Sequence, residues 1–238
     1  MNFKRIATIV LAFLAAMTAI PSLGQDSFPY PKVPDTLRTV NKRAEYVVMH
    51  YWDKFNFSDT TLIHKPDITE QGMANFLDLL PRVDSSLVVR GASHFADMAF
   101  GADKPKNVCA YFARLIDHYL YSPNSPMRND RLYAAFLRRM KDISTFDEAE
   151  RERYSFRLRN VTKNLPGTKA ADFAFVDRHG KRSSLYEVKS KYTVLYFNDP
   201  DCDNCHRITA ELSKEPLLTS GHPDLKVIAV YPDADTDE

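Results

Sequence analysis

Cys202 and Cys205 are separated by Asp203 and Asn204 and stand just behind the apolar run Thr193-Val194-Leu195-Tyr196-Phe197. Two thiols at this spacing can close and reopen a disulfide, and a thiolate at such a pair can attack a disulfide elsewhere. If a helix begins at the pair, Cys202 occupies its N-terminus, where unpaired amides and the helix dipole favour a negative sulfur. Cys205, one turn further in, is expected to be more buried and to act as the thiol that resolves a mixed disulfide. Asp199, Asp201 and Asp203 crowd the first sulfur with negative charge, while the helix terminus, His206 and Arg207 oppose them. This balance predicts a Cys202 pKa of about 7 or above rather than the value near 3.5 of strongly oxidising pairs.

The same residues admit other chemistries. A structural staple is one, but closing so short a loop would stabilise by only about 2 kcal/mol against about 3 for a 15-residue loop. Zinc would need further ligands; the seven histidines are scattered, and no second cysteine pair exists. Cys202-Asp203-Asn204-Cys205-His206 also matches C-x-x-C-H, the attachment signature of c-type haem. Against haem stands the context, because such sites are held in a helical wrap and this motif follows an apolar strand and a hairpin. Neither a metal nor a cofactor is expected.

The elements that must position the pair are read from the pattern around it. Asp172 to Val176 and Lys181 to Leu185 flank the turn Asp177-Arg178-His179-Gly180, which makes a hairpin. Tyr192 to Phe197 then reads as a buried strand. A helix-compatible run follows the cysteines to about Lys214, with Ile208 and Leu212 on one face, and Leu225 to Tyr231 reads as a second buried strand. Strand, helix and strand in that order predict a parallel pairing.

The turn signal Asn164-Leu165-Pro166-Gly167 separates this region from a helix-patterned one. Between residues 35 and 160 the spacing predicts about six helices. Leu37, Val40, Ala44, Val47, Val48 and Tyr51 repeat at helical intervals, as do Met73, Phe76 and Leu80, and Leu87, Val88, Phe95 and Met98. Val108, Phe112, Leu115 and Tyr119 form a further stripe, with Cys109 on its flank as a small buried apolar residue. Ser125-Pro126 and the spacing of Thr145 and Glu148 are read as helix starts, the second as a capping box. The aromatics Tyr46, Trp52, Phe55, Phe57, Tyr111, Phe112, Tyr133 and Phe136 are read as core. The mixed-charge run Glu148 to Arg159 reads as a solvated helix face.

Lys4 and Arg5, the uncharged stretch from Ile6 to Ile20, Pro21 and the small residues Ser22 and Gly24 have the order of a secretory signal peptide. Its removal takes two of the 32 basic residues and none of the 31 acidic ones, leaving a formal charge of −1. Nucleic acid is therefore not an expected partner. Hydrophobic residues at 44% and aromatics at 12% are ordinary globular values. Three cysteines are too few for a disulfide scaffold in an oxidising compartment and leave one thiol over, Cys109.

Gly167, Ala171-Asp172-Phe173, Asp177, Gly180-Lys181, Leu185, Val194 to Phe197 and Cys202 to Cys205 together resemble the thioredoxin-like family. The likeness is to its secreted branch, akin to alkyl hydroperoxide reductase and cytochrome-maturation thioredoxins. Phe55-Asn56-Phe57-Ser58-Asp59-Thr60 and Tyr121 to Asn129 resemble an uncharacterised helical domain found ahead of thioredoxin-like domains in some secreted bacterial proteins. Two departures stand out. Pro200-Asp201 and Asp203-Asn204 replace the family's usual aromatic and proline neighbours of the motif. After Leu225 to Tyr231 the family has a further helix, a strand pair preceded by a cis-proline loop and a closing helix, so the sequence is expected to be a truncated one.

The expected fold is α+β overall: an all-helical domain followed by an α/β thioredoxin-like domain that stops after its second central strand. The expected divisions are a signal peptide over 1–24, the helical domain over 25–162 and the thioredoxin-like domain over 163–238. The resemblance implies disulfide reduction in the periplasm or outside the cell, with Cys202 attacking, Cys205 resolving, and Asp201, Asp203 and His206 modulating. Its partners would be client proteins carrying disulfides and an upstream thiol electron donor, with no membrane-integral segment left after processing. The alternatives are a haem electron-transfer protein and a secreted binding protein with a vestigial cysteine pair.

Overall fold

The computed structural model describes residues 27–219 and 221–232; the signal-peptide assignment falls outside them. The helical part contains α1 (Val40–His50), α2 (Pro66–Leu79), α3 (Ser85–Ala99), α4 (Lys106–Leu120), α5 (Asp130–Met140) and α6 (Glu148–Val161). The remainder contains β1 (Ala174–Val176), β2 (Arg182–Ser184), β3 (Tyr192–Phe197), α7 (Asp203–Leu212), α8 (Pro216–Thr219) and β4 (Leu225–Val230). The chain divides into two compact units, with the break between Ala170 and Ala171. The α+β class read from the sequence is the one observed.

Helix starts follow the chemistry of short polar caps. Asp84 Oδ1 accepts from the amides of Ser86 and Leu87, both at 3.0 Å, to open α3. Asn129 Oδ1 accepts from Leu132 N at 3.0 Å to open α5, four residues beyond the predicted cap at Ser125, whose hydroxyl donates instead to the Tyr119 carbonyl. The capping box of α6 is formed by Asp147 and Glu150, not by Thr145 and Glu148: Glu150 N donates to Asp147 Oδ1 at 2.8 Å and Asp147 N to Glu150 Oε2 at 3.1 Å. Thr145 is spent elsewhere, its hydroxyl donating to the Phe100 carbonyl at 2.7 Å. Asp147→Ala is expected to destabilise the helical unit by about 1 kcal/mol, read as a lower urea midpoint with an unchanged slope; no change would contradict the cap.

All the buried apolar side chains among the described residues lie between Phe28 and Val161. Their centre is aromatic: Phe95 on α3 has the rings of Trp52, Phe57, Phe76, Phe100, Phe112 and Phe136 around it at centroid distances of 5.1 to 6.1 Å. Most of the predicted core aromatics are buried, while Tyr46 and Tyr111 are half-buried. α3 packs against α1 so closely that a Cβ on Gly91 would lie 2.5 Å from Val48 Cγ1, so only glycine fits there.

The charged run on α6 is not wholly a solvated face. Arg157 turns inward, its Nη1 donating to Asp117 Oδ2 at 2.6 Å and to the Tyr133 hydroxyl at 3.0 Å, with its guanidinium 4.8 Å from the Tyr121 ring centroid. Tyr133 donates in turn to Asp117 Oδ1 at 2.6 Å. The group joins α4, α5 and α6 and pushes the Tyr133 hydroxyl pKa upward, first through burial and then through the Asp117 charge.

In the second unit β1 and β2 pair antiparallel, with Phe175 opposite Ser183. The turn between them closes because Asp177 Oδ1 accepts from His179 N at 2.8 Å and Lys181 N at 3.0 Å, while Gly180 takes a left-handed φ of +79°. β3 and β4 pair parallel, with Leu195 opposite Ile228. The expectation that these two strands are buried is corrected: Tyr192 is 57% and Phe197 58% exposed. Two strands and short helices offer too little surface to cover both faces of the sheet.

Candidate functional site

The ladder continues past β3 as Asn198 N donates to the Val230 carbonyl at 2.9 Å, and this delivers the chain to the loop before the cysteines. Asp199 organises that loop. Its Oδ1 accepts from Asp201 N at 2.9 Å and its carbonyl from Cys202 N at 3.2 Å. His206 Nε2 donates to the Pro200 carbonyl, tying the loop back to the first turn of α7.

Cys202 is the N-cap of α7, with extended backbone at φ −97° and ψ 110°, and its sulfur accepts from Cys205 N at 3.4 Å. A sulfur here stands where Ser, Thr, Asp or Asn usually caps a helix, and a thiolate accepts such a bond better than a thiol. Cys205 lies on the stripe Cys205, Ile208 and Leu212, the half-buried face of an otherwise exposed helix. Both sulfurs belong to free thiols, and both residues are half-buried, so the predicted contrast in burial between them is not found.

The electrostatic contrast is present. Cys202 is held below the ordinary thiol pKa, chiefly by the Cys205 thiol donating to it, then by the Cys205 amide, while the Asp199 charge works against this. Cys205 is pushed above the ordinary value, chiefly by the same shared bond to Cys202. The two shifts run in opposite directions, down at Cys202 and up at Cys205. Asp201 and Asp203 are exposed, and Asp203 falls in the first turn of α7, where a carboxylate favours the helix dipole. Arg207 is turned away, its Nη1 on Glu211 Oε1 at 2.9 Å and its Nη2 on Asn204 Oδ1 at 2.8 Å. His206 likewise acts on the loop carbonyl, so the side chains expected to oppose the acids make local tethers.

Cys109 stands apart, 3% exposed, with its Sγ 3.5 Å from the Ala99 carbonyl and its pKa raised by burial. Low ratios of iodoacetamide are expected to alkylate Cys202 first, with a rate that climbs with pH through a midpoint below the ordinary thiol value of about 8.5. Cys205 and Cys109 should lag. A Cys202 midpoint at or above the ordinary value would contradict the arrangement. Among the described residues no three His, Cys, Asp or Glu side chains are placed to share a metal ion, and no helix is long and apolar enough to cross a membrane.

The family model for a domain of unknown function, DUF5106, matches residues 8–164. The chain belongs to that family. Its fold is similar to the solved structure of a thioredoxin-like protein from Bacteroides caccae ATCC 43185, with 35% sequence identity and a TM-score of 0.77. That match covers 90% of this chain and 77% of the other. No curated protein matches the chain. Within this DUF5106 protein the helical unit falls almost wholly under the family model, and the cysteine pair lies beyond it. The pair itself was legible in the sequence. Tyr196 was not: its hydroxyl reaches from β3 to the Cys205 carbonyl at 3.0 Å, whereas in the sequence it reads as one more apolar residue of a strand.

Proposed function

We propose that the protein is a thiol-disulfide oxidoreductase that reduces protein disulfides through Cys202 and Cys205. The observation that carries this reading is the bond from the Cys205 amide to the Cys202 sulfur at the start of α7, which favours a thiolate there. The thioredoxin-like relative supports it as a matter of fold. The Cys202 thiolate attacks one sulfur of a client disulfide, forming a mixed disulfide and expelling the other client sulfur as a thiolate. Cys205, once deprotonated, attacks the Cys202 sulfur. This closes the Cys202–Cys205 disulfide and releases the second client thiolate, so two electrons pass from the pair to the client. An upstream dithiol then reduces the pair.

Reduction is proposed from the resemblance to the thioredoxin-like family; the Asp199 charge, which works against the Cys202 thiolate, limits how far the reduced pair is stabilised. Asp201 and Asp203 stand beside the pair as exposed carboxylates, and His206 shapes the loop. The place of action is the periplasm or the outside of the cell, reached through the leader over residues 1–24. The sequence resemblance sets this proposed activity beside that of secreted thioredoxins of the cytochrome-maturation and hydroperoxide reductase-like kind.

Equilibration with graded glutathione buffers followed by an alkylating quench tests the reading. Cys202 and Cys205 are expected to become oxidised together as the buffer becomes more oxidising, with Cys109 unchanged. Failure to form a bond between them at any ratio would overturn it. A Soret band from the purified protein would assign the pair to haem attachment instead.

A further inference from the structure

We propose that Tyr196 is a positioning residue for the cysteine pair: from β3 its hydroxyl donates to the Cys205 carbonyl at 3.0 Å and meets Thr209 Oγ1 at 3.1 Å, fastening the first turn of α7 where it presents the Cys205 amide to Cys202. The inference rests on the disulfide-exchange reading and adds to it a group that never touches the reacting sulfurs.

In an α-helix the Cys205 carbonyl is the partner of the Thr209 amide four residues on, which leaves one lone pair unused. Threonine at that position ordinarily turns its own hydroxyl back to the same carbonyl. Here Tyr196 takes the lone pair. Because a phenol carries one proton, its donation to the carbonyl leaves its oxygen to accept from Thr209, so the three groups form one directed chain from Thr209 through Tyr196 to Cys205. Tyr196 is half-buried and sits in the strand ladder opposite Ala229, so the anchor is fixed to the sheet rather than to a loop.

The consequence falls on the other side of the same residue. The bond from Cys205 N to Cys202 Sγ, 3.4 Å to a sulfur acceptor, depends on how the first turn is oriented, so a rotation of that turn weakens it. Two tethers oppose that rotation. His206 holds the loop to the turn through the Pro200 carbonyl, and Tyr196 holds the turn to the strand. The titratable groups acting on the Cys202 sulfur are Cys205 and Asp199, and Tyr196 governs the first of these without contributing charge.

The test is made on the reduced, full-length chain. Tyr196→Phe keeps the ring and removes only the hydroxyl. Its Cys202 alkylation by iodoacetamide is expected to be about threefold slower at a pH below the midpoint, equivalent to an upward midpoint shift of about half a pH unit. The glutathione equilibrium should move by a similar factor toward the disulfide. Thr209→Val should shift both readouts in the same direction by less. Profiles and equilibria identical to the wild type in a folded Tyr196→Phe variant would overturn the proposal. If that variant does not fold, Thr209→Val decides alone: an upward shift supports the proposal and an unchanged profile overturns it. Should wild-type Cys202 itself titrate as an ordinary thiol, the disulfide-exchange reading falls and this inference falls with it; a depressed wild-type midpoint with no effect of either variant sinks only the role of Tyr196.

Discussion

Cys202→Ser is expected to lower the rate at which the protein reduces a model protein disulfide, such as that of insulin with dithiothreitol as electron source, by at least about 10³-fold. A hydroxyl at this position remains protonated at neutral pH and cannot begin the exchange, and Cys205, whose pKa is raised in the native pair, is a poor substitute nucleophile. The loss should not come from unfolding. Serine is among the best N-cap residues, so it can take over from the sulfur the bond to Cys205 N, and α7 should begin where it does now. Residual activity within tenfold of the wild type, in a variant with unchanged circular dichroism, would mean that Cys202 is not the attacking group.

The largest stability effect is expected at Phe95. Phe95→Ala removes a fully buried ring at the centre of the aromatic cluster and should cost about 3–5 kcal/mol of the helical unit's stability. The six surrounding rings come from α2, α3's own end, α4, α5 and the turn after α1. They cannot all move inward, so the cavity should stay largely open. Trp52 is the sole tryptophan of the chain and lies 5.1 Å from the Phe95 centroid, so its fluorescence during urea unfolding reports this unit. Val89→Ala, at a residue of α3 that is 39% exposed, serves as the contrast in the same unit and should change stability by no more than about 0.5 kcal/mol. A loss below about 1 kcal/mol at Phe95 would contradict the central packing described.

Most of the architecture was legible because burial is periodic. The stripes in the helical region and the apolar runs at Tyr192 and Leu225 carry the element types directly. Helix starts were less so, since cap-forming residues cluster: Ser125 and Asn129 lie four apart, as a pair only one of which opens α5, and Thr145 and Asp147 compete in the same way before α6. Choosing between them depends on which carbonyl lies within reach of the loser, and that is tertiary information. The exposure of β3 and β4 was misread for a similar reason. An apolar run records that a strand suits a covered position, but not what covers it.

At the site, the pair and its asymmetry follow from spacing, because a helix that begins at Cys202 necessarily brings the Cys205 amide toward its sulfur. The roles of His206 and Arg207 do not follow from spacing. Both were read as opposing charges, and both are tied to local acceptors, the Pro200 carbonyl and the side chains of Asn204 and Glu211. Arg157 shows the reverse error, a cation in an apparently solvated run that turns inward to Asp117 and Tyr133. A charged side chain announces its partner's sign in the sequence but not its partner's address.

The division of labour between the two sulfurs is tested most directly by trapping. Cys205→Ser removes the resolving thiol, so a disulfide-bearing substrate attacked by Cys202 should remain attached, and the covalent adduct should survive non-reducing electrophoresis and disappear with dithiothreitol. Peptide mapping should place the bond at Cys202. No adduct from Cys205→Ser, or an equal yield from Cys202→Ser with the bond at Cys205, would contradict the assignment of attack to Cys202 and resolution to Cys205.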